Sequence, residues 1–246
     1  MQSIHLPQSR SSSLLAGLGW VEHAFLPAGA TPPAESTWAY QRHSAQVVLA
    51  EETTPAKSGD ADGVIATDQC PVAVYTADCL PVLIADDRMH HVAAVHAGLK
   101  GALAGVLFSA VQRLIALGAS AESLHIAIGP SIGPCCYELG HNILATIQSN
   151  SLLALPPPWH QQQPRNPQAI RPQATATTAG IWFDLPGLAV QMLRQMGIPA
   201  AQIEVLPVCT YCMAEPGSSY RRNTHFSDGY AARYSWIQRR DSVVTK

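Results

Sequence analysis

Residues Val72 to Gly101 read VAVYTADCLPVLIADDRMHHVAAVHAGLKG. Three short apolar runs stand in this stretch, Val72 to Tyr75, Val82 to Ala85 and His91 to Val95, and a fourth follows at Leu124 to Ile128. All are of strand length, rich in Val, Ile and Ala, and bounded by Pro, Asp or Gly, so they predict buried central strands of one sheet. Between the last two, Leu103, Val106, Leu107, Ala110, Val111, Leu114 and Ile115 recur at helical spacing. That period predicts one helix over Gly101 to Gly118, packed on the sheet, with Gly118 taking the left-handed stop. Cys79 and His96 fall just beyond predicted strand ends, where a rigid scaffold presents side chains from loops.

Further along, Leu155 to Gly180 carries Pro156-Pro157-Pro158, Gln161-Gln162-Gln163 and alternating Thr and Ala. Such a composition resists regular structure and predicts a Pro/Gln-rich surface insertion at about 155–180, outside the core. Pro186 opens a helix to about Met196 that stops at Gly197, and Ile203 to Pro207 reads as another strand. The fold class that follows is α/β (α+β), one domain over residues 1–246 with mixed β-sheets flanked by helices.

Composition narrows the function. The chain is 47% hydrophobic and 13% charged with a net charge of −2, which suits a large apolar core and supplies no basic field for nucleic acid. The N-terminal residues lack a leader pattern, and no apolar run reaches membrane-spanning length, so a soluble, cytoplasmic protein is expected, with no membrane partner. Six cysteines in a chain of this length form no dense disulfide framework and are expected as reduced thiols. Cys209-x-x-Cys212 has no second spaced pair to complete a structural zinc site, since Cys135 and Cys136 are adjacent, and it reads as ordinary thiols.

His43, Cys79 and His96 offer two imidazoles and one thiolate, a donor set that zinc prefers, and three protein ligands leave a fourth position open. Taken singly, His43 reads as a loop histidine, Cys79 as a small buried apolar residue and His96 as a core histidine. The surrounding words change that reading. Ala61-Asp62-Gly63-Val64, Thr76-Ala77-Asp78-Cys79, His96-Ala97-Gly98-Leu99-Lys100-Gly101, Ile128-Gly129-Pro130-Ser131-Ile132-Gly133-Pro134-Cys135-Cys136-Tyr137-Glu138 and Ser219-Tyr220-Arg221-Arg222 occur in this order. Together they resemble the laccase-domain family, also called the multicopper polyphenol oxidase-like or peptidoglycan-editing-factor family, over roughly residues 20 to 240. The chain departs from that pattern at Arg42 and Ser44 around His43 and at Leu99 and Lys100, where a Trp-Arg pair is usual. Lys100 keeps the charge of the usual Arg and loses its bidentate fork.

The resemblance implies a fold similar to a toxin class of cysteine hydrolases. It also implies one zinc (or copper) on His43, Cys79 and His96. Cys79, His96 and Asp78 then become the catalytic candidates, and Asp62, Lys100, Gly129, Arg221 and Arg222 the substrate-binding ones. Asp62 and Asp78 read either as acceptors that orient the imidazoles or as proton carriers. The Gly129 to Pro134 loop reads either as an anion cradle or as a plain strand-to-helix turn. The activity the resemblance implies is purine nucleoside phosphorolysis of adenosine, inosine and methylthioadenosine, with adenosine deamination. Its partners would be a nucleoside and phosphate, and the oligomeric state is open. Editing of peptidoglycan precursors by amide hydrolysis at the same residues is the alternative. Copper-dependent phenol oxidation ranks last, because one thiolate and two imidazoles lack the ligand sets of multicopper chemistry. A metal-stabilised module without catalysis is the remaining reading.

Overall fold

The computed structural model describes residues 9–176, 180–213 and 215–240. At its centre is a mixed six-stranded sheet in the order Ile203–Val205, Leu124–Ile128, Leu80–Asp86, Val92–Ala97, Gly63–Ala66, Val47–Leu49. The two outer pairs run parallel and the inner pairs antiparallel. Leu80–Asp86 is buried along its whole length because both faces of the sheet are covered, which is why its sequence is a continuous apolar run without alternation. On one face, Val82, Ile84, Val95 and Ile126 pack against Leu107, Val111 and Leu114 of the helix Val106–Ala116 and Leu188 and Met192 of the helix Leu185–Gln195. On the other, Leu83, Ala85, Val64 and Ala94 meet Phe25, Val72, Val74 and Ile237.

That second layer is a separate antiparallel sheet, ordered Val21–Phe25, Arg233–Arg239, Val72–Thr76. The run at Val72 is therefore a buried strand, as expected, but of the facing sheet. Its composition cannot distinguish the two positions, since both are dry. The chain forms a mixed α/β single domain, helices on one side of the large sheet and a second sheet on the other. The predicted helix over Gly101 to Gly118 is also corrected. It is two helices, Leu99–Ala104 and Val106–Ala116, broken at Gly105, whose φ of 95° is left-handed. The apolar period continues through the break, so periodicity alone did not report it.

A third small sheet pairs Gly180–Phe183 with Glu138–Gly140 and Trp159–His160. Trp159 thus lends a strand residue from the Pro/Gln-rich stretch, and Ala174 of the same stretch is buried beside Cys135, Cys136, Cys209 and Cys212. Residues 177–179 of that stretch lie outside the described residues. Among the described residues, no helix is long and apolar enough to cross a membrane.

Candidate metal centre

His96 is near the end of the strand Val92–Ala97, buried in the sheet, while Cys79 is the residue before Leu80–Asp86. Leu80 pairs with Ala97 across the two strands, so the register itself brings Cys79 and His96 to one sheet end. His43 arrives from a loop, in the left-handed region at φ 58°. Asp78, the residue before Cys79, is left-handed as well, at φ 92°. Two non-glycine residues held in that region beside one pocket are a local cost that the surrounding contacts must offset.

One carboxylate organises the pocket. Asp62 is buried, and its Oδ1 accepts from the backbone N–H of His43 at 2.9 Å and lies 2.7 Å from Nδ1 of His96. Its Oδ2 accepts from the N–H of Arg42 at 3.1 Å and from both the N–H and the hydroxyl of Ser44 at 2.7 Å. Burial pushes the Asp62 carboxyl up, but the hydrogen bonds from His96, Ser44 and Arg42 outweigh it and hold the group well below the usual carboxylate range. With Nδ1 committed to Asp62, His96 turns Nε2 toward the pocket, the arrangement of a metal-ligating imidazole and its outer acceptor. Asp62 therefore orients His96 and the loop of His43, with both carboxylate oxygens engaged inside the protein.

The ligand atoms of His43, Cys79 and His96 all lie within 4.8 Å of one another, and His43 Nε2 is 3.8 Å from Cys79 Sγ. Zinc bonds of about 2.0–2.3 Å set such atoms roughly 3.3–3.7 Å apart in a tetrahedron, so modest rotations of the exposed His43 ring close the set. Charge points the same way. Burial, reinforced by Asp78 and Asp62, pushes the Cys79 thiol up to about 12, so its thiolate needs a cation beside it. Burial, the neighbouring His96 and Lys100 lower the pKa of His43, favouring the neutral ring that ligates metal.

The glycines of His96-Ala97-Gly98-Leu99-Lys100-Gly101 are explained by contact. A Cβ on Gly98 would stand 2.7 Å from Cys79 Sγ and 2.9 Å from Cδ2 of His43, and one on Gly101 would stand 3.3 Å from the carbonyl oxygen of Ser44. Gly98→Ala should therefore weaken metal binding at this site by at least about tenfold, measured by competition with a chelator, with little loss of folded protein. Unchanged affinity would mean that the pocket tolerates the methyl and that the trio is not closed around an ion.

Asp78 turns away from this pocket. Its Oδ1 accepts from the hydroxyl of Thr210 at 2.5 Å, and its Oδ2 from the hydroxyl of Ser219 at 3.0 Å and the N–H of Arg221 at 2.7 Å. It fastens the segment 209–221 to the residue before Cys79, and burial raises its pKa. Gly129 is likewise structural in its contacts. Its N–H donates to the Pro81 carbonyl at 2.8 Å, and an added Cβ would fall 2.2 Å from the Phe25 ring. The following amides are taken too, Ser131 by Val208, Ile132 by Asp78 and Gly133 by Cys209 Sγ, so the backbone of this loop presents no free amide to an anion.

Lys100 is exposed on the first turn after Gly98, close enough to His43 to lower its pKa. Arg221 donates to the Glu138 carbonyl at 2.9 Å and lies 5.4 Å over the Tyr137 ring. Arg222 instead pairs with Asp228 at 3.1 Å and packs over Tyr211 and Phe226. Tyr137 is a candidate that sequence reasoning passed over. Burial, then the charge of Cys79, raise its pKa to about 12, and its ring lies under the Arg221 guanidinium. Only its membership of the run Gly133 to Glu138 could have pointed to it.

The sequence pattern described as multi-copper polyphenol oxidoreductase laccase matches residues 23–238, which span all of these side chains. The chain belongs to this laccase family. Among its relatives, a protein named purine nucleoside phosphorylase in Mycobacterium tuberculosis is 33% identical over 204 residues, 82% of this chain and 72% of that one. Another of that name in Streptomyces griseus is 30% identical, over 83% of this chain and 75% of its own. The laccase-family fold is shared with YlmD from Geobacillus stearothermophilus, at a TM-score of 0.74 and 18% identity over 98% of both chains. YfiH from Bacillus licheniformis is similar, at a TM-score of 0.73 and 22% identity, over 96% of this chain and 98% of that one.

Proposed function

We propose that this chain is a zinc-dependent purine nucleoside phosphorylase, taking adenosine, inosine and methylthioadenosine with phosphate, and that it also deaminates adenosine. The observation that carries the reading is the trio of His43, Cys79 and His96, brought to one sheet end by strand register and by the hydrogen bonds of Asp62 to His43 and His96, in a family whose relatives at 33% identity bear the phosphorylase name. Zinc there would supply Lewis acidity at an open position and hold Cys79 as thiolate.

The chain's own residues supply the rest. Phosphorolysis forms a bond from a phosphate oxygen to the ribose anomeric carbon as the bond to the purine nitrogen breaks, so it needs cations for the incoming anion and a proton for the departing base. Lys100 beside His43 and Arg221 beside Tyr137 are the cations this reading assigns to phosphate, and Tyr137 is its proton carrier. Arg222, turned to Asp228, has the weaker claim. Lys100→Ala should raise KM for phosphate roughly tenfold, the worth of one charge-assisted contact, while leaving adenosine deamination nearly unchanged. Equal losses in both activities would remove Lys100 from phosphate binding.

Phenol oxidation has little support from the ligands. Among the described residues, the groups of three or more close metal-ligating side chains are this trio and one cluster of cysteines, and neither is a histidine-rich set for several coppers. The test of the proposal is a mass-spectrometric assay of zinc-loaded protein with nucleosides and phosphate, and separately with muramyl precursors. Release of free purine base and ribose 1-phosphate is expected. A protein that ignores nucleosides but frees serine or glycine from the precursors is an editing amidohydrolase.

A further inference from the structure

The fold sets Cys209-x-x-Cys212, which reads from the sequence as ordinary thiols, against Cys135 and Cys136. Ser131 and Cys209 form an isolated parallel bridge, with the N–H of Thr210 donating to the Ser131 carbonyl at 2.9 Å, and this sets the turn at Cys135 and Cys136 against the turn at Cys209 to Cys212. All four cysteines are buried, and their sulfurs lie within 4.8 Å of one another. We propose that Cys135, Cys136, Cys209 and Cys212 form a second metal site, a closed structural site for one zinc ion, separate from the trio at His43.

Ligand count, spacing and surroundings all fit. A Zn–S bond of about 2.3 Å gives a tetrahedron whose edge is roughly 3.8 Å. Cys135 and Cys212 stand 4.0 Å apart, near that edge and well beyond the ~2.05 Å of a disulfide. The space among the sulfurs admits one ion, not an iron–sulfur cluster, whose own sulfides would have to fit between them. Four thiolates fill the tetrahedron, so no position is left for substrate and the site is structural.

The hydrogen bonds run toward sulfur. The N–H of Gly133 donates to Cys209 Sγ at 3.3 Å, the side-chain amide of Asn166 to Cys212 Sγ at 3.1 Å, and the N–H of Ala174 to Cys136 Sγ at 3.5 Å. A thiol sulfur is a weak acceptor and a thiolate a strong one, so three N–H groups aimed at three of four sulfurs are the outer partners that thiolate ligands use. A cavity of about 460 Å³ opens beside this cluster, lined by Cys135, Cys209, Asn166 and Gly133.

The site would also fix the Pro/Gln-rich stretch. The N–H groups of Ile170 and Arg171 donate to the Cys212 carbonyl at 2.9 and 3.0 Å, and the side-chain amides of Gln163 and Gln173 donate to the Cys135 carbonyl at 2.7 and 3.1 Å. Once the turns that carry those two carbonyls are held by an ion, residues 163–174 are docked on a rigid base. Without the ion, the same segment keeps only its packing against the small apolar cluster around Trp182 and Tyr211 and the bridge between Ser131 and Cys209.

The experiment uses Cys79→Ala, which removes a ligand of the first site and leaves all four cysteines of the second. After dialysis against a chelator this protein should still hold one zinc per chain by elemental analysis, and Cys79→Ala/Cys212→Ser should hold less than a tenth of that. Stripping the zinc with a mercurial should speed protease cleavage within residues 161–173. Should the double variant fail to fold, cobalt substitution of Cys79→Ala decides. Intense thiolate-to-cobalt charge-transfer bands with tetrahedral d–d bands support the site, and their absence overturns it. A metal-free Cys79→Ala protein overturns it too, whether its five remaining cysteines are all free thiols or Cys135 and Cys212 are found bridged.

Discussion

Cys79→Ala should lower nucleoside turnover by about 10³-fold or more, on the scale lost when a group that stabilises the transition state is removed. The sulfur is the one anionic donor of the trio, and without it two imidazoles remain, too few to hold zinc against a chelator. The loss should fall on kcat in both phosphorolysis and deamination, with folding unaffected, since Cys79 is a small, partly exposed side chain at a strand start. Release of purine base by the variant, zinc content of the trio and thermal unfolding together check this. Full turnover in Cys79→Ala would end the metal-centred mechanism, and loss of turnover with metal retained would leave the thiolate itself as the reacting group.

Asp62→Ala should have the largest effect on stability of any single change at the pocket. The carboxylate is fully buried against His96 and receives the amides of Arg42, His43 and Ser44. Its removal strips the buried His96 imidazole of its charged partner and those amides of their acceptor, at a cost of about 3–5 kcal/mol, and frees the His96 ring to take the wrong tautomer. Chemical denaturation should show that loss, and metal affinity at the trio should fall by about 10–100-fold even in the fraction that folds. The acid sensitivity of the wild type follows from the same group. Because its pKa is held below the ordinary value, the stability that Asp62 contributes is present above about pH 4 and is lost as pH falls toward the folded-state value. A variant as stable as the wild type, with unchanged metal affinity, would show that the loop at His43 is held by other means.

The two predictions separate what each residue type does. Cys79 contributes chemistry and little packing, so its loss should be read in turnover. Asp62 contributes geometry to residues that would hold the metal, so its loss should be read first in unfolding and in affinity. Gly98 lies between them, since it acts by having no side chain where Cys79 and His43 approach.

The sequence by itself determined the local pieces. Four apolar runs became strands because their Val, Ile and Ala content suits a dry sheet, and the helix beginning near Pro186 was marked by that proline and by Gly197. The convergence of the trio was legible as well, because the words around His43, Cys79 and His96 place metal-ligating residue types in a family context. What local sequence could not decide was which distant segments meet. Val72–Thr76 could join either of two sheets with equal burial, and only the pairing with Arg233–Arg239 assigned it. Asp62 read equally as an acceptor that orients an imidazole or as a proton carrier until the fold turned its carboxylate inward onto His96, 34 residues away. The cysteines are the sharpest case. Cys135 and Cys212 are 77 residues apart, and neither local pair has the spacing of a complete zinc site. Their four sulfurs converge because a parallel bridge between Ser131 and Cys209 brings two turns together, and ligand geometry is a property of such convergence in space rather than of spacing along the chain.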